Sequence, residues 1–328
     1  MLKNKITTIG GATRDIMFYT NDMVLVDNKH DLLRKKLIGF EYGAKVYSKD
    51  LIFTFGGGGM NTAVNFANLG LKTQTILAIG TDIIGHEILA ELRDKKISTK
   101  LVQINAKTIS GTSFVINVGK FNEHVIFAYR GANNKIDLSR AIVKKINTPW
   151  VYLSSLSGNF KVGLANLFEQ CEKKKIKIAW NPGSRQLKTG LRALAKYMKS
   201  TTVFIVNRDE ALELVMSVKK KETKDNIKSS LKFLHQSGQK ITVITDGHRG
   251  AHVYDGDKYY FKAAIKTKGI NTTGAGDAFG AAFVAGIIKY NSIEKALKLA
   301  VLNSNSVIAK IGAQRGILQA SDLRKYKL

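Results

Sequence analysis

The sequence contains very little cysteine, and this scarcity limits the chemistry open to it. Of its 328 residues only Cys171 is a cysteine, so the chain can form neither an internal disulfide nor a cysteine-cluster metal site. It has no run of about 18 apolar residues, which a membrane-spanning helix would need. Residues 1–9 lack the apolar core of a signal peptide. We therefore expect a soluble, cytoplasmic protein with no membrane partner.

Acidic residues are also scarce, with 25 Asp and Glu against 52 Lys and Arg and a formal net charge of +27. Nucleic-acid binding would require these cations to cluster, because phosphate affinity comes from concentrated Lys and Arg. Here they are mostly lysines spread along the chain in short runs such as 173–175, without an aromatic-plus-basic stacking motif. The charge predicts no specific nucleic-acid partner, although a positive field would help to attract an anionic nucleotide.

Metal-binding spacings and domain linkers are absent from the sequence as well. None of the six histidines belongs to a His-x-x-x-His pair with an acidic partner, so each is interpreted as a surface or packing residue. There is no linker, low-complexity tract or internal repeat. These absences favour a single domain over two independent ones.

Short, β-branched apolar runs alternate with helical patterns along most of the chain. The runs predict buried strands at 6–9, 75–79, 150–153, 176–179, 203–206 and 241–244. The helical patterns lie at 61–69, 87–93, 161–173, 191–198, 209–216 and 226–236. This alternation predicts an α/β fold whose mostly parallel sheet is covered by helices on both faces. Ligands bind beyond the carboxyl ends of such strands.

Two segments interrupt the alternation and predict a small additional sheet. Residues 17–55 have no strong helix face apart from 30–37, and their apolar residues form strand-like runs at 45–47 and 51–55. Runs at 112–118 and 124–129, joined by a polar segment at 119–123, predict a β-hairpin. We expect these strands to form a lid, over about 16–55 and 112–130, that closes on substrate and excludes water.

Two glycine-rich segments lie near the N-terminus. The first, Gly10-Gly11-Ala12-Thr13-Arg14-Asp15, follows a predicted strand and is interpreted either as a ligand-approach point or as a turn capped by the aspartate. The second, Gly56-Gly57-Gly58-Gly59-Met60-Asn61, opens an Ala-rich helix. Its glycines permit close backbone approach, and its asparagine offers donors and an acceptor to hydroxyls. It is not a Walker phosphate loop, because the Gly-Lys-Ser/Thr sequence is missing. It is not a dinucleotide fingerprint either, because its glycines have the wrong spacing.

The segment Thr272-Thr273-Gly274-Ala275-Gly276-Asp277 places a tight turn directly before another apolar helix. The unpaired N–H groups and the dipole at that helix start favour an anion such as phosphate. Asp277 has two interpretations at this point. It is a helix cap, or it is a base that takes a proton from a hydroxyl attacking a phosphoryl group.

Taken together, these segments resemble the signatures of the ribokinase-like (PfkB) family of carbohydrate and nucleoside kinases. Residues 56–70 match the first family signature, and 271–280 match the second. Lesser matches follow in the family's order at 80–85, 207–210, 245–250 and 312–316. The resemblance covers essentially the whole chain, and it implies a three-layer sandwich with a β-lid over the sugar site.

The resemblance also implies roles for individual residues. Asp277 corresponds to the catalytic base, and the anion hole corresponds to Gly274, Ala275 and Gly276. Substrate hydroxyls would be held around Asp15, Gly57, Gly58 and Asn61. The nucleotide would lie near Asn207, Thr245, Gly247, Gly250 and Asn303, and Glu210 would organise magnesium through water. The implied reaction is ATP- and Mg²⁺-dependent transfer of phosphate to a hydroxymethyl group of a small sugar.

Several alternatives stay open at this stage. A nucleoside kinase of the same fold would need an apolar wall for its base, with the candidates Phe18, Phe40, Phe114 and Phe127. A catalytically silent relative that binds a ligand or nucleic acid is disfavoured, because Asp277, the glycine turn and the Asn207 and Glu210 pair are all retained. Asn271 replaces an aspartate common in the family, which weakens the case for a monovalent cation such as potassium. Lid strands in this family often pair between subunits, which would give a homodimer.

Overall fold

A computed structural model describes residues 4–28, 36–118, 123–219, 226–267 and 271–326. Its strands are β1 (Lys5–Ile9), β2 (Thr13–Thr20), β3 (Val24–Asp27), β4 (Lys36–Gly39), β5 (Leu51–Gly56), β6 (Lys72–Ile76), β7 (Ala78–Gly80), β8 (Gln103–Asn105), β9 (Gly111–Val118), β10 (Glu123–Tyr129), β11 (Trp150–Leu153), β12 (Lys177–Trp180), β13 (Val203–Asn207), β14 (Ile241–Thr245), β15 (Ala251–Tyr254) and β16 (Tyr259–Lys262). Its α-helices are α1 (Gly58–Asn68), α2 (Ile83–Asp94), α3 (Arg140–Val143), α4 (Lys161–Lys173), α5 (Ser184–Leu187), α6 (Leu191–Met198), α7 (Arg208–Met216), α8 (Ile227–His235), α9 (Ala275–Tyr290) and α10 (Ile293–Ile308).

An eight-stranded sheet forms the centre of the protein, in the order β16–β15–β14–β13–β12–β11–β1–β6. The six strands from β14 to β6 pair in parallel, whereas β15 and β16 extend the sheet as an antiparallel edge. This confirms the predicted α/β class with a mostly parallel sheet. Because parallel strands need helical crossovers, the sheet is buried on both faces, which explains the continuous apolar runs of its strands.

Alternate residues of the central strands point into two separate cores, one on each face of the sheet. Ile9 and Leu153 belong to the core formed with α3 to α8. Ile6 and Tyr152 belong to the opposite core, which α1, α9 and α10 cover. The sequence-predicted helices at 161–173 and 191–198 coincide with α4 and α6. The protein is therefore a three-layer sandwich, as predicted.

A second, smaller sheet has the order β10–β9–β2–β5, and we call it the small sheet. The predicted hairpin at 112–118 and 124–129 is confirmed, since β9 and β10 pair antiparallel. In the small sheet β2 pairs in parallel with β9 and antiparallel with β5, so that Asp15 lies opposite both Ser113 and Thr54. Because β2 begins just after β1 ends, the small sheet adjoins the carboxyl end of the large one.

Three sequence predictions need correction or fall partly outside the described residues. The strand predicted at 75–79 is wrong in extent, because the chain leaves the large sheet after Ile76 and β7 pairs instead with β8. The strand predicted at 45–47 is wrong, since this stretch is a loop that ends where Ser48 and Lys49 bond to the Tyr19 carbonyl. Of the helical stretch at 30–37, residues 30–35 lie outside the described residues and the last two belong to β4. Within the described ranges, no helix is long and apolar enough to cross a bilayer.

Candidate active site

The candidate site lies where α9 begins, next to the carboxyl ends of the central strands. Gly274 precedes the helix with φ of 78°, in the left-handed region that suits glycine. Its carbonyl accepts from the Ala278 N–H at 2.9 Å, which closes the first helical turn. A Cβ on Gly274 would lie 2.4 Å from the Ala313 Cβ, so both backbone conformation and packing require glycine here. Asp277 is thereby fixed in the first turn of α9.

Asp277 meets the start of another helix, α1. The side-chain amide of Asn61 donates from Nδ2 to Asp277 Oδ2 at 2.9 Å. Gly58 borders the same carboxylate, since a Cβ there would lie 3.4 Å from Asp277 Oδ1. The two glycine-rich signatures, which are far apart in sequence, therefore form one site.

The Asp277 residue is partly buried, and this location affects the protonation of its carboxyl group. Burial raises the pKa of Asp277, the hydrogen bond from Asn61 offsets part of the rise, and the nearby charge of Asp15 adds to it. A carboxylate with a raised pKa is a stronger base than an ordinary surface aspartate, which suits proton abstraction near neutral pH. The role of Asp277 as a general base stays a prediction at this point.

Asp15 is a buried carboxyl group whose charge acts on Asp277, with 5% of its surface exposed. The Thr13 hydroxyl donates to Asp15 Oδ1 at 2.7 Å. Burial raises the pKa of Asp15, against the lowering effect of hydrogen bonds from Thr13 and Ser113 and of the Arg14 charge. Gly56 is needed beside it, because a Cβ there would lie 2.0 Å from Asp15 Oδ2. Asp15 therefore presents a carboxylate at the site from the small sheet.

The start of α1 is fixed to the loop that follows β1. The Gly11 carbonyl accepts from the N–H groups of Gly59 and Met60, at 2.9 and 3.2 Å. Gly57 has φ of 86°, and its Cβ would lie 2.5 Å from the same carbonyl oxygen. The glycines here bring two backbone segments together and hold Asn61 in place. Gly57 and Gly58 thus have a packing role in addition to the predicted substrate contact.

The expected anion hole is only partly open. The Ala275 N–H donates to the Thr272 carbonyl at 3.2 Å, so this donor is engaged within the turn. At Gly276, in contrast, an added Cβ would meet no atom within 4 Å. The free space at Gly276 adjoins the positive end of α9, where an anion is favoured.

Asn207 and Glu210 form a reciprocal cap at the start of α7. Asn207 Oδ1 accepts from the Glu210 N–H at 2.9 Å, and Glu210 Oε2 accepts from the Asn207 N–H at 2.8 Å. This arrangement is a capping box. Burial raises the pKa of Glu210, and the bond from Asn207 offsets part of that rise. The cap holds a carboxylate at the carboxyl end of β13, on the edge where parallel-sheet ligands bind.

Magnesium fits this carboxylate, given the chemistry of the donor set. Among the described residues no three His, Cys, Asp or Glu side chains form a metal-holding group. Mg²⁺ does not need such a group, since it is commonly held by one or two carboxylates together with water and substrate phosphates. Glu210, with one oxygen used in the cap, is the residue that would hold it.

The other predicted nucleotide residues lie at the end of β14, in the loop after it, and within α10. Thr245 is the last residue of β14, and the loop after it contains Gly247, with φ of 54°, and Gly250. A Cβ on Gly250 would lie 2.2 Å from the Lys262 carbonyl, whereas one on Gly247 would meet nothing within 4 Å. Gly250 is therefore required by packing, and Gly247 borders open space.

Asn303 is fully buried, and its side chain is used internally. Its Nδ2 donates to Asn65 Oδ1 and to the Ala278 carbonyl, and its Oδ1 accepts from the Leu318 N–H. The predicted nucleotide contact of Asn303 stays a prediction. Its observed role is to join α1, α9 and α10 behind the site.

Gln314 was not among the predicted site residues, although it lies in the matched segment 312–316. Its Nε2 donates to Asn61 Oδ1 at 3.0 Å, which connects this loop to Asp277 through one side chain. Asn133 was also missed, and it bonds both backbone groups of Ala12 beside the Gly11 turn. The glycine-rich segment around Gln314 was a sequence signal that could have identified this residue. The contacts of Asn133 join distant parts of the fold, and a single sequence contains no signal for them.

Solved structures of similar shape define the class of fold. A nucleoside kinase from Burkholderia thailandensis, in complex with inosine, matches with a TM-score of 0.79 at 17% identity, covering 98% of this chain and 97% of that one. A ribokinase from Arabidopsis thaliana, complexed with ribose and ATP, matches with a TM-score of 0.78 at 20% identity, also covering 98% and 97%. The fold is therefore that of the ribokinases.

Sequence comparison identifies the family. Residues 20–320 match the model described as pfkB family carbohydrate kinase, and the chain belongs to this family. A ribokinase from Lactococcus lactis is 26% identical over 324 residues, covering 98% of this chain and 96% of that protein. The resemblance of the glycine signatures is thus confirmed at the level of the family of sugar and nucleoside kinases.

Proposed function

We propose that this chain is an ATP-dependent kinase that phosphorylates a hydroxymethyl group of a small sugar, with Asp277 as general base. The observation that carries this proposal is the placement of the Asp277 carboxylate. It lies in the first turn of α9, receives a hydrogen bond from Asn61 and is close enough to the buried Asp15 to be affected by its charge. In this proposal one kinase domain spans residues 1–328, and segments 16–55 and 112–130 act as its lid.

In the proposed reaction Asp277 accepts the proton of the attacking hydroxyl, which must approach within about 3 Å of the carboxylate. Asn61 keeps one carboxylate oxygen hydrogen-bonded, so the other is directed toward the acceptor. Asp15 accepts hydrogen bonds from further hydroxyls and orients the sugar. Most of the rate enhancement of phosphoryl transfer comes from such positioning and from charge stabilisation.

The transferring phosphoryl group would lie at the start of α9. The open space at Gly276 gives room for this group, and the positive end of the helix would stabilise the negative charge that develops on it. Mg²⁺, when bound, would supply charge neutralisation for the phosphates of the nucleotide. Glu210 is the residue proposed to hold it, and the nucleotide is proposed to lie along Asn207, Thr245, Gly247 and Gly250.

The inner face of the small sheet supports a hydroxyl-rich substrate. Strand residues directly opposite each other share a face, so Asp15, Thr54 and Ser113 point to the same side. All three are polar and buried, and Thr54 Oγ1 has no hydrogen-bond partner among the described residues. A buried polar surface with an unpaired hydroxyl suits a ligand that brings its own hydrogen bonds.

The same pairing weakens the nucleoside alternative. Phe18 and Phe114 lie on the face of Ile16, and Phe127 is paired with Phe114, so these rings lie opposite to Asp15. They therefore do not provide an apolar wall beside Asp15 within this chain. Phe40 follows β4, outside the small sheet. The sugar kinase proposal is favoured on this ground.

A homodimer is also part of the proposal, and the outer face of the small sheet supports it. Phe53 and Phe127 have 50% and 58% of their surface exposed, and Leu51 and Tyr129 are similarly exposed. A cluster of large exposed apolar side chains on one sheet is typical of an interaction surface. A second copy of the chain would cover this face.

The test of the proposed function is an ADP-release assay with ATP, Mg²⁺ and a panel of sugars, phosphosugars and nucleosides. We expect turnover with at least one sugar and none with nucleosides. If a nucleoside were phosphorylated in preference to every sugar, the protein would be a nucleoside kinase and the sugar proposal would be wrong. Absence of turnover across the panel, with nucleotide or nucleic acid still bound, would support the catalytically silent alternative and contradict the kinase proposal.

A further inference from the structure

Gln314 reaches Asp277 through one intermediate side chain. Gln314 Nε2 donates to Asn61 Oδ1 at 3.0 Å, and Asn61 Nδ2 donates to Asp277 Oδ2 at 2.9 Å. The three residues come from different parts of the fold: the loop after α10, the first turns of α1 and the first turn of α9. Asn61, the middle member, has only 4% of its surface exposed, whereas Gln314 and Asp277 are partly buried.

The direction of these hydrogen bonds matters because the two ends of an asparagine amide have almost the same shape. Which end faces Asp277 is decided by hydrogen-bond partners, not by packing. With a donor on its oxygen, Asn61 presents its NH₂ group to the carboxylate. Both amides then donate toward Asp277, and hydrogen bonds arranged in series in this way strengthen each other.

The loop that carries Gln314 is held in place independently of this contact. Gly312 has φ of 97°, and Ala313 packs against Gly274 in the turn before α9. Farther along, the Leu318 N–H donates to Asn303 Oδ1 at 2.9 Å. Gln314 therefore projects from a fixed loop, and its amide holds a defined position relative to Asn61.

We propose that Gln314 is a positioning residue that fixes the side-chain amide of Asn61 so that its NH₂ group donates to the ionised carboxylate of Asp277. This inference rests on the proposed function of Asp277 as a base. Two other titratable groups interact with Asp277: Asp15, from β2, whose charge raises the pKa of Asp277, and the buried phenol of Tyr152, from β11, whose own pKa the charge of Asp277 raises. Gln314 is uncharged, so it acts only through the orientation of Asn61.

The kinetic test uses Gln314→Met, which keeps the side-chain length and removes the donor, and Gln314→Glu, which also places an acceptor against Asn61 Oδ1. We expect kcat to fall about 3- to 10-fold in the first variant, the equivalent of one hydrogen bond, and further in the second. The acid limb of the kcat profile should move to higher pH in both. Gln319→Met, on an exposed residue of the same segment, is the matched control and should leave kcat unchanged.

Repeating the Gln314→Met substitution in a variant that lacks the Asn61 amide shows whether Gln314 acts through Asn61. In Asn61→Ala the Gln314→Met substitution should change kcat by less than twofold, because the intermediate amide is gone. The inference would be overturned if Gln314→Met lowered kcat equally in both backgrounds. It would also be overturned if this substitution changed neither kcat nor the acid limb of the pH profile in the unmodified protein.

A readout that needs no turnover separates this inference from the proposed function. With aspartate labelled with ¹³C at Cγ, the Asp277 signal is assigned by its loss in Asp277→Asn and followed through a pH titration. Its midpoint should be higher in Gln314→Met than in the unmodified protein, and an unchanged midpoint would overturn the inference. A shifted midpoint in a protein that phosphorylates no member of the panel would leave the role of Gln314 standing and contradict only the kinase proposal.

Discussion

Asn61 and Asp277 are 216 residues apart in the sequence, and their side chains meet at 2.9 Å. Each lies in the first turns of a helix preceded by a glycine-rich turn, Asn61 in α1 and Asp277 in α9. The contact brings a neutral donor to a carboxylate whose burial would otherwise disfavour its charged form. A residue from a distant part of the chain thus offsets part of the effect of burial on the ionisation of Asp277.

The pH dependence of turnover should reflect this environment. Burial raises the pKa of Asp277, and a general base works only when ionised, so the acid limb of kcat should lie above the ordinary range of an aspartate. Asn61→Ala removes the bond that lowers the pKa and should move the limb to still higher pH. Steady-state rates between pH 4 and 9 provide the check. A limb at the ordinary aspartate pKa, unmoved in Asn61→Ala, would contradict it.

Gly276→Ala should impair activity with ATP without reducing the stability of the fold. The new methyl group would meet no atom of the protein within 4 Å, and alanine favours a helix over glycine by about 1 kcal/mol. We expect the melting temperature to stay the same or rise. The methyl group would occupy the proposed phosphate space, so kcat/KM for ATP should fall about tenfold or more.

Gly274→Ala is the contrasting variant for this experiment. The positive φ and the contact with Ala313 should make it destabilising with or without ligand. Full activity in Gly276→Ala would show that phosphate does not bind at this point.

Gly280 and Tyr152 should be coupled in stability. An added Cβ at Gly280 would lie 2.2 Å from the Tyr152 hydroxyl oxygen, and this hydroxyl has no hydrogen-bond partner among the described residues. Gly280→Ala should therefore destabilise the protein by about 1–3 kcal/mol. Tyr152→Phe should be neutral or slightly stabilising, because it removes an unpaired buried polar group. In the double variant the cost of the alanine should be smaller, as measured by chemical denaturation. An equal cost in both backgrounds would show that the hydroxyl is not the obstacle.

Charge on the outer face of the small sheet should disrupt the proposed dimer. Burying a phenylalanine contributes about 2 kcal/mol, so Phe53→Asp or Phe127→Asp should weaken association roughly 30-fold or more. Size-exclusion chromatography with light scattering, over a range of protein concentrations, measures this change. Val162→Asp is the control, since Val162 is also exposed but lies on α4. A protein that is monomeric at every concentration, or a dimer that neither substitution affects, would contradict the proposed interface.

The sequence was sufficient for the central fold because its signals are local. Apolar runs with turns at each end predicted β1, β11 and β13, and a buried face repeating every three to four residues predicted α4 and α6. The run at 75–79 misled because two short strands, β6 and β7, follow each other with only Leu77 between them. Periodicity cannot show that a continuous apolar run changes sheets.

Residues of the candidate site could be proposed from the sequence only where they share a local motif. Asp277 and Asn61 lie in glycine-rich segments that the family resemblance singled out. The contacts of Gln314 and Asn303 cross between elements and depend on how α1, α9 and α10 pack. The position of Phe114 on the outer face required the register of β2 and β9, which a single sequence does not contain.

Asp277→Asn tests the assignment of the catalytic base most directly. Because burial raises the pKa of Asp277, the folded protein binds this proton more tightly than the unfolded chain does, and the contribution of the group to stability falls as pH rises through its folded pKa. The neutral amide removes this cost, so the variant should be at least as stable as the unmodified protein at neutral pH. With the best substrate of the panel, kcat should fall by roughly 10²–10⁴, while KM for ATP changes little. A folded Asp277→Asn protein with undiminished kcat would contradict the assignment of Asp277 as the base.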